Sequence, residues 1–228
     1  MTSSLPKRDR YTYIPGIRSS QQAILDQAFS DAIFLAVNVR EPPESVPYEL
    51  QKSIFNKYFP PDAVPVASDI FNRIVGGNSH TGNADFARLL VDVNDSHNVC
   101  ANDKAKNYIN RDGNLIRICP NFWSDVTKKT CAELPENIVS WQMTFPGDAI
   151  FNMLLGYIGT KAIEGKNIEN YYLNPIKKGA PSYTGPALAM YIRAHKPEFT
   201  IFSAMNYEWY AMVGGLLQVL IIVSRLSR

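Results

Sequence analysis

The sequence predicts an α+β domain, and three observations carry that expectation. Apolar residues at helical spacing fill the N-terminal third, an Asp-Gly pair sits between two short strand-like runs near the middle, and helical patterns return toward the C-terminal side. A chain of 228 residues suits one domain with room for a sizeable core. The content, 46% hydrophobic and 19% charged, is that of a globular protein and argues against intrinsic disorder. The formal net charge is +2 and the basic residues are scattered, so no nucleic-acid partner is expected.

The elements follow in chain order. Residues 1–18 carry Pro6 and Pro15, have no apolar h-region of a signal peptide, and read as a flexible arm. Ser19 to Val39 reads as a helix opened by a Ser19/Gln22 capping box, with Leu25, Phe29, Ile33 and Val37 on one face. Pro42 and Pro43 end it. A second helix starts at Pro47 with an apolar stripe of Leu50, Ile54 and Tyr58, and Pro60-Pro61 closes it. A third starts near Pro65, turns Ile70, Phe71 and Ile74 inward, and stops at Gly76-Gly77.

The pattern then changes. Arg88 to Val93 is a strand candidate, and Asn107–Asn110 and Leu115–Cys119 flank Arg111-Asp112-Gly113-Asn114 as a hairpin. A loop is expected over Asn121 to Glu136, then helices over Asp148 to Ile163, Gly185 to Ala194 and Ser203 to Met212. The domain is therefore read as 19–212, followed by an apolar tail over 213–228 whose run Leu216–Val223 is far shorter than the roughly 20 residues of a membrane span.

The residues that usually carry chemistry are sparse. His80, His97 and His195 share no metal-ligand spacing, and a lone histidine is more often a surface or capping residue than a ligand. Cys-x-x-Cys, a Gly-rich phosphate loop and Gly-x-Ser-x-Gly do not occur. The cysteines are Cys100, Cys119 and Cys131, an odd number that leaves one free or paired with another chain in a secreted protein.

One stretch carries a family likeness. Cys100-Ala-Asn-Asp-Lys-Ala-Lys-Asn-Tyr-Ile-Asn-Arg-Asp-Gly-Asn-Leu-Ile-Arg-Ile-Cys119-Pro-Asn-Phe-Trp123 resembles a segment of the fungal deuterolysin-type (aspzincin) metallopeptidases, in which a cysteine precedes a hairpin whose second strand ends in Cys-Pro and aromatics. The likeness covers roughly residues 90 to 212. It implies a zincin-like fold, secretion, and a disulfide between Cys100 and Cys119, whose closure stabilises by about 3 kcal/mol. Cys131 falls in the loop before the family's zinc helix, with no later cysteine to pair with.

That zinc helix corresponds to Gly147-Asp-Ala-Ile-Phe-Asn-Met-Leu-Leu-Gly-Tyr-Ile158, with Asp148 expected as its N-cap. In His-Glu-x-x-His the two imidazoles share a helical face and reach one metal, and the glutamate acts as general base toward the metal-bound water. On this chain the histidine positions hold Asn152 and Gly156, and the general-base position holds Met153. The third ligand, an aspartate, maps near Ala180 in Lys178-Gly-Ala-Pro-Ser-Tyr-Thr-Gly-Pro186, and Tyr183 maps on the tyrosine that hydrogen-bonds the oxyanion, although Thr184 interrupts the family's Tyr-Gly pair. Farther on, Ser203-Ala-Met-Asn-Tyr-Glu-Trp-Tyr210 resembles the family's Asn-Ala-Asp-Asn-Tyr helix start, with Met205 in place of the aspartate.

The resemblance thus implies a peptidase fold without its zinc: a catalytically inactive pseudo-peptidase with a peptide or protein partner and no cofactor. Two other readings remain open. Zinc is retained if His80, His97 or His195 converges with Asp148, Glu164 or Glu169. Alternatively the chain is an unrelated secreted α+β interaction protein. The aromatics Tyr171, Tyr172, Tyr183, Tyr191, Tyr207, Trp209 and Tyr210 could line a peptide groove, but side chains of this kind more often pack helices together.

Overall fold

The computed structural model describes residues 11–40, 46–76, 86–95, 100, 107–110, 114–124, 145–158, 163–169 and 185–214. The fold mixes helix and strand and is mostly helical. The chain runs through β1 (Thr12–Tyr13), α1 (Ser19–Arg40), α2 (Tyr48–Tyr58), α3 (Val64–Gly76), β2 (Leu90–Asp92), β3 (Asn107–Asn110), β4 (Leu115–Ile118), α4 (Pro120–Ser124), α5 (Pro146–Ile158), α6 (Gly185–His195) and a last helix, α7, over 204–214. The sheet order is β1-β2-β4-β3. The first three strands are parallel, and β3 is antiparallel to β4 at the edge.

The hairpin forms where the sequence places it. Asn107 pairs with Ile118 and Asn110 with Leu115. Asn114 takes a positive φ of 49° at the mouth of the turn, a conformation asparagine tolerates better than most residues. Residues 111–113, with the Asp-Gly pair, lie outside the described residues. Register puts Ile116 and Ile118 in the core.

The end of the expected arm is structured instead: Thr12 and Tyr13 pair with Leu90 and Val91. The Tyr11 and Tyr13 hydroxyls both donate to Asp26 Oδ1 of α1, at 2.7 and 2.9 Å, and Tyr11 stacks on Phe29 at 3.8 Å. Those contacts hold residues 11–13 against α1 and β2.

Several helix details depart from the expectation by a residue or more. At the start of α1 the Arg18 N–H donates to Gln21 Oε1 at 3.1 Å, which is one half of a capping-box exchange and lies one position earlier than the expected Ser19/Gln22 pair. The buried face of α1 is Leu25, Ala28, Phe29, Ala32, Leu35 and Ala36, while Ile33 and Val37 lie at its margin. Small alanines let α1 approach α3 and α5 closely, and that approach rotates the face. Pro120 starts the short helix α4 where a loop is expected, because proline suits a first helical position. For the same reason Pro146 opens α5 early, so Asp148 lies inside the first turn rather than at the N-cap.

Helix α5 is described over Pro146–Ile158, and Ile163, the expected last residue of this helix, is not helical. Ile163 instead opens a tight turn to Lys166, with Glu164 and Gly165 at φ 50° and 75°. Helix α7 runs to residue 214, two beyond the expected end.

One hydrophobic core joins the sheet to the helices. Every side chain of α5 from Ala149 to Ile158 except Asn152 is buried. Its N-terminus closes tightly on α1 because Gly147 has no side chain there: a Cβ would lie 2.6 Å from Asp31 Cβ and 2.4 Å from the Phe145 ring. Aromatics from α2, α3 and α7 interlock beside it. Phe59 and Phe71 meet Tyr207 at 4.9 and 5.7 Å, and Phe71 meets Phe151 of α5 at 6.2 Å. Each such fully buried ring contributes on the order of 1.5–3 kcal/mol. Among the described residues no helix is long and apolar enough to cross a membrane.

Candidate functional site

The site is built outward from α5. Asn152 is the one partly exposed position in the run 147–158, and its amide Nδ2 donates to Glu208 Oε2 of α7. Four residues on, Gly156 lies one helical turn away on the same side and is buried. Met153 is buried in the core at 3% exposure. A thioether there has no proton-accepting role, and nothing polar is needed to keep it dry. Asp148, in the first turn, is also buried. Carboxylates are favoured at that end of a helix by the unsatisfied N–H groups.

The second element, α7, is tied in by Asn206. Its Nδ2 donates to the Tyr58 carbonyl at 2.7 Å and to the Ala189 carbonyl at 3.0 Å. One side chain thereby joins the end of α2, the middle of α6 and the first turn of α7. Tyr207 donates to the Ile201 carbonyl at 2.9 Å, and burial pushes its hydroxyl pKa well up. Met205 packs against the core at the position that resembles the family's aspartate. Tyr207, Trp209 and Tyr210 pack helices together, while Tyr191 lies against His195 at 4.3 Å.

The hairpin supplies the third element. Cys100 and Cys119 are disulfide-bonded with their Cα atoms 5.5 Å apart, as the resemblance implies. A buried charge cluster holds the bond against β2. Arg117 of β4 pairs with Asp92 at 3.1 Å and with Asp95 at 3.9 Å, and Asp95 accepts the Cys100 N–H at 2.9 Å. The Asn94 N–H donates to the other Asp92 oxygen at 2.7 Å. Arg117 and Asp92 are buried and Asp95 is partly exposed, and the cluster joins two parallel strands to the disulfide.

The positions mapped as ligands are thus partly visible. Asn152, Met153 and Gly156 lie together on α5. Ala180 and Tyr183 lie outside the described residues, as do His80, His97, Cys131, Tyr171 and Tyr172. Of the other residues offered as ligands, His195 is exposed at the end of α6, Glu164 is exposed in its turn, and Glu169 accepts from Asn167 at 3.3 Å. Among the described residues no three His, Cys, Asp or Glu side chains gather where they could hold a metal ion. The set around Asn152 has one amide, one carboxylate and a thioether turned inward, a poor donor set for zinc.

Two features escaped the sequence reading. Glu208 stands 56 positions from its partner Asn152, and Asn206 stands 148 from Tyr58. In comparisons with known proteins, no family model matches the chain and no curated protein matches it.

Proposed function

We propose that the chain is a zincin-like domain of the deuterolysin type that has lost its metal, a pseudo-peptidase that binds a peptide or protein rather than cleaving it. The observation that carries the reading is the replacement of the two imidazole positions and the general base by Asn152, Gly156 and Met153 on one helix turn of α5. The disulfide-closed hairpin before that helix and the Asn206-Tyr207 helix start after it stand in the family's order, which supports the same reading.

The chemistry follows from the side chains. Zinc catalysis needs three protein ligands around an open position, so that bound water ionises near pH 7. Asparagine is a weak ligand, glycine supplies none, and a buried methionine accepts no proton. The Asn152–Glu208 bond occupies the polar face that a metal would otherwise need. Secretion, the peptide partner and the degenerate roles of Ala180 and Tyr183 belong to this reading as well.

The test is a reconstruction. The combined change Asn152→His, Met153→Glu, Gly156→His and Ala180→Asp restores zinc binding, measured by titration with a chromophoric chelator, while single changes restore none. Gly156→His adds bulk to a packed helix and costs about 1–3 kcal/mol, so unfolding is followed in parallel. A folded quadruple variant that binds no zinc overturns the residue-by-residue mapping.

A further inference from the structure

A groove of about 480 Å³ is lined chiefly by α2 and α3. Each helix gives it a row of side chains four residues apart: Tyr48, Lys52 and Asn56 from α2, and Val64, Ser68 and Asn72 from α3. Residues at that spacing share a helix face, and two such steps run about 12 Å along the axis. The Tyr48 ring is 71% exposed, and Ser68 and Asn72 are exposed as well. Among the described residues, the side chains of Asn56, Ser68 and Asn72 have no hydrogen-bond partner in the protein. From these features we infer that the groove binds a neutral oligosaccharide of sugars with equatorial hydroxyls, the Tyr48 ring lying against the C–H face of one sugar and Asn56, Ser68 and Asn72 exchanging hydrogen bonds with the hydroxyls. None of the described lining residues belongs to α5, so the inference does not depend on the peptidase likeness.

The unused side chains select the ligand. Sites for small ligands run from roughly 300 to 1,000 Å³, with a few polar groups that fix orientation. An asparagine amide both donates and accepts, and so does a serine hydroxyl. An apolar ligand would strip water from these groups and return no hydrogen bond, at a cost for each. An anion would offer acceptors only and leave the amide oxygens unanswered. Sugar hydroxyls donate and accept, as water does, and so replace the water on Asn56, Ser68 and Asn72 alike. A sugar whose hydroxyls are equatorial keeps C–H bonds on the faces of its ring, and an exposed phenol ring offers a flat apolar surface to such a face. The polar groups are spread along two turns of both helices, which suits a short oligosaccharide rather than a single sugar. Lys52 adds a further donor, whereas Arg40, also in the lining, is engaged within the protein and has no part in the assignment.

The experiment is isothermal titration of the full chain with cellotriose, a neutral β-linked glucose oligomer whose ring hydroxyls are equatorial, and with tetraglycine as a peptide of similar polarity. Cellotriose binds, tetraglycine binds at least tenfold more weakly, and added salt leaves the cellotriose affinity unchanged because the ligand has no charge to screen. Tyr48→Ala weakens cellotriose about tenfold, the loss expected for one aromatic stack, while Tyr48→Phe keeps the ring and the affinity. Asn56→Ala/Asn72→Ala weakens it about tenfold through the lost hydrogen bonds. Tyr48 is mostly exposed and alanine favours a helix over asparagine, so these proteins stay folded, as followed by thermal unfolding. No binding of cellotriose, undiminished binding to Tyr48→Ala or to the folded double variant, or a Tyr48→Phe protein as weak as Tyr48→Ala would each overturn the assignment. So would an affinity that falls with salt, which marks an anion site, or tetraglycine binding as tightly as cellotriose, which marks a peptide site.

Discussion

Asn206 is fully buried and spends both amide hydrogens on backbone carbonyls of two other helices. Removing that donor leaves the Tyr58 and Ala189 carbonyls without it in a dry interior, so Asn206→Ala loses about 2–3 kcal/mol in urea unfolding. A loss near zero would mean that water replaces the amide. Arg117 is the charged counterpart: Arg117→Met strands Asp92 beside Asp95 and costs about 3–5 kcal/mol by the same measurement. Asp31 gives a pH-dependent case. Burial raises its pKa above the ordinary 3.8, an effect partly offset by the Gln27 amide. A raised folded pKa means that this group's stabilising contribution is complete below the unfolded value and is lost as pH rises through the folded one. Asp31→Asn, which resembles the protonated acid, therefore raises the melting temperature at pH 7 and not at pH 3, and an equal shift at both would contradict the burial effect. None of these partnerships was legible in the sequence. Periodicity marks which face of a helix is apolar, but the partners of Asn206 and Arg117 are chosen by how distant elements meet.

Helices and strands show where pattern reading succeeds and where it stops. Helices α2 and α3 and the β3–β4 hairpin were legible because proline punctuation and the Asp-Gly pair act locally. The parallel pairing of β1 with β2 was not, since two- and three-residue strands have no alternation to read. The α1 face turned for a tertiary reason: alanines at 28, 32 and 36 allow close approach, which outweighs the larger Ile33 and Val37. The same closeness makes Gly147 specific. Gly147→Ala forces a methyl group against Phe145 and Asp31 and destabilises by about 1–3 kcal/mol, and a neutral substitution would show that α5 can slide off α1. The disulfide closes the loop containing β3 and β4 over a separation of 19 residues. Replacing both cysteines by serine therefore lowers unfolding free energy by about 3 kcal/mol.

At the scale of the whole molecule, an apolar helix crosses the core behind a disulfide-closed hairpin, and its one polar outlet, Asn152, is engaged by Glu208. The positions of the candidate site could be assigned from the sequence only through the family resemblance; the spacing of the histidines alone offered nothing. The central claim is that the fold is kept without its metal. The measurement that bears on it most directly is zinc content by elemental analysis of protein purified without chelators, together with casein hydrolysis with and without a chelator. The account predicts substoichiometric zinc and no chelator-sensitive hydrolysis. One zinc per chain with hydrolysis that a chelator abolishes would contradict it and put the catalytic ligands elsewhere in the chain.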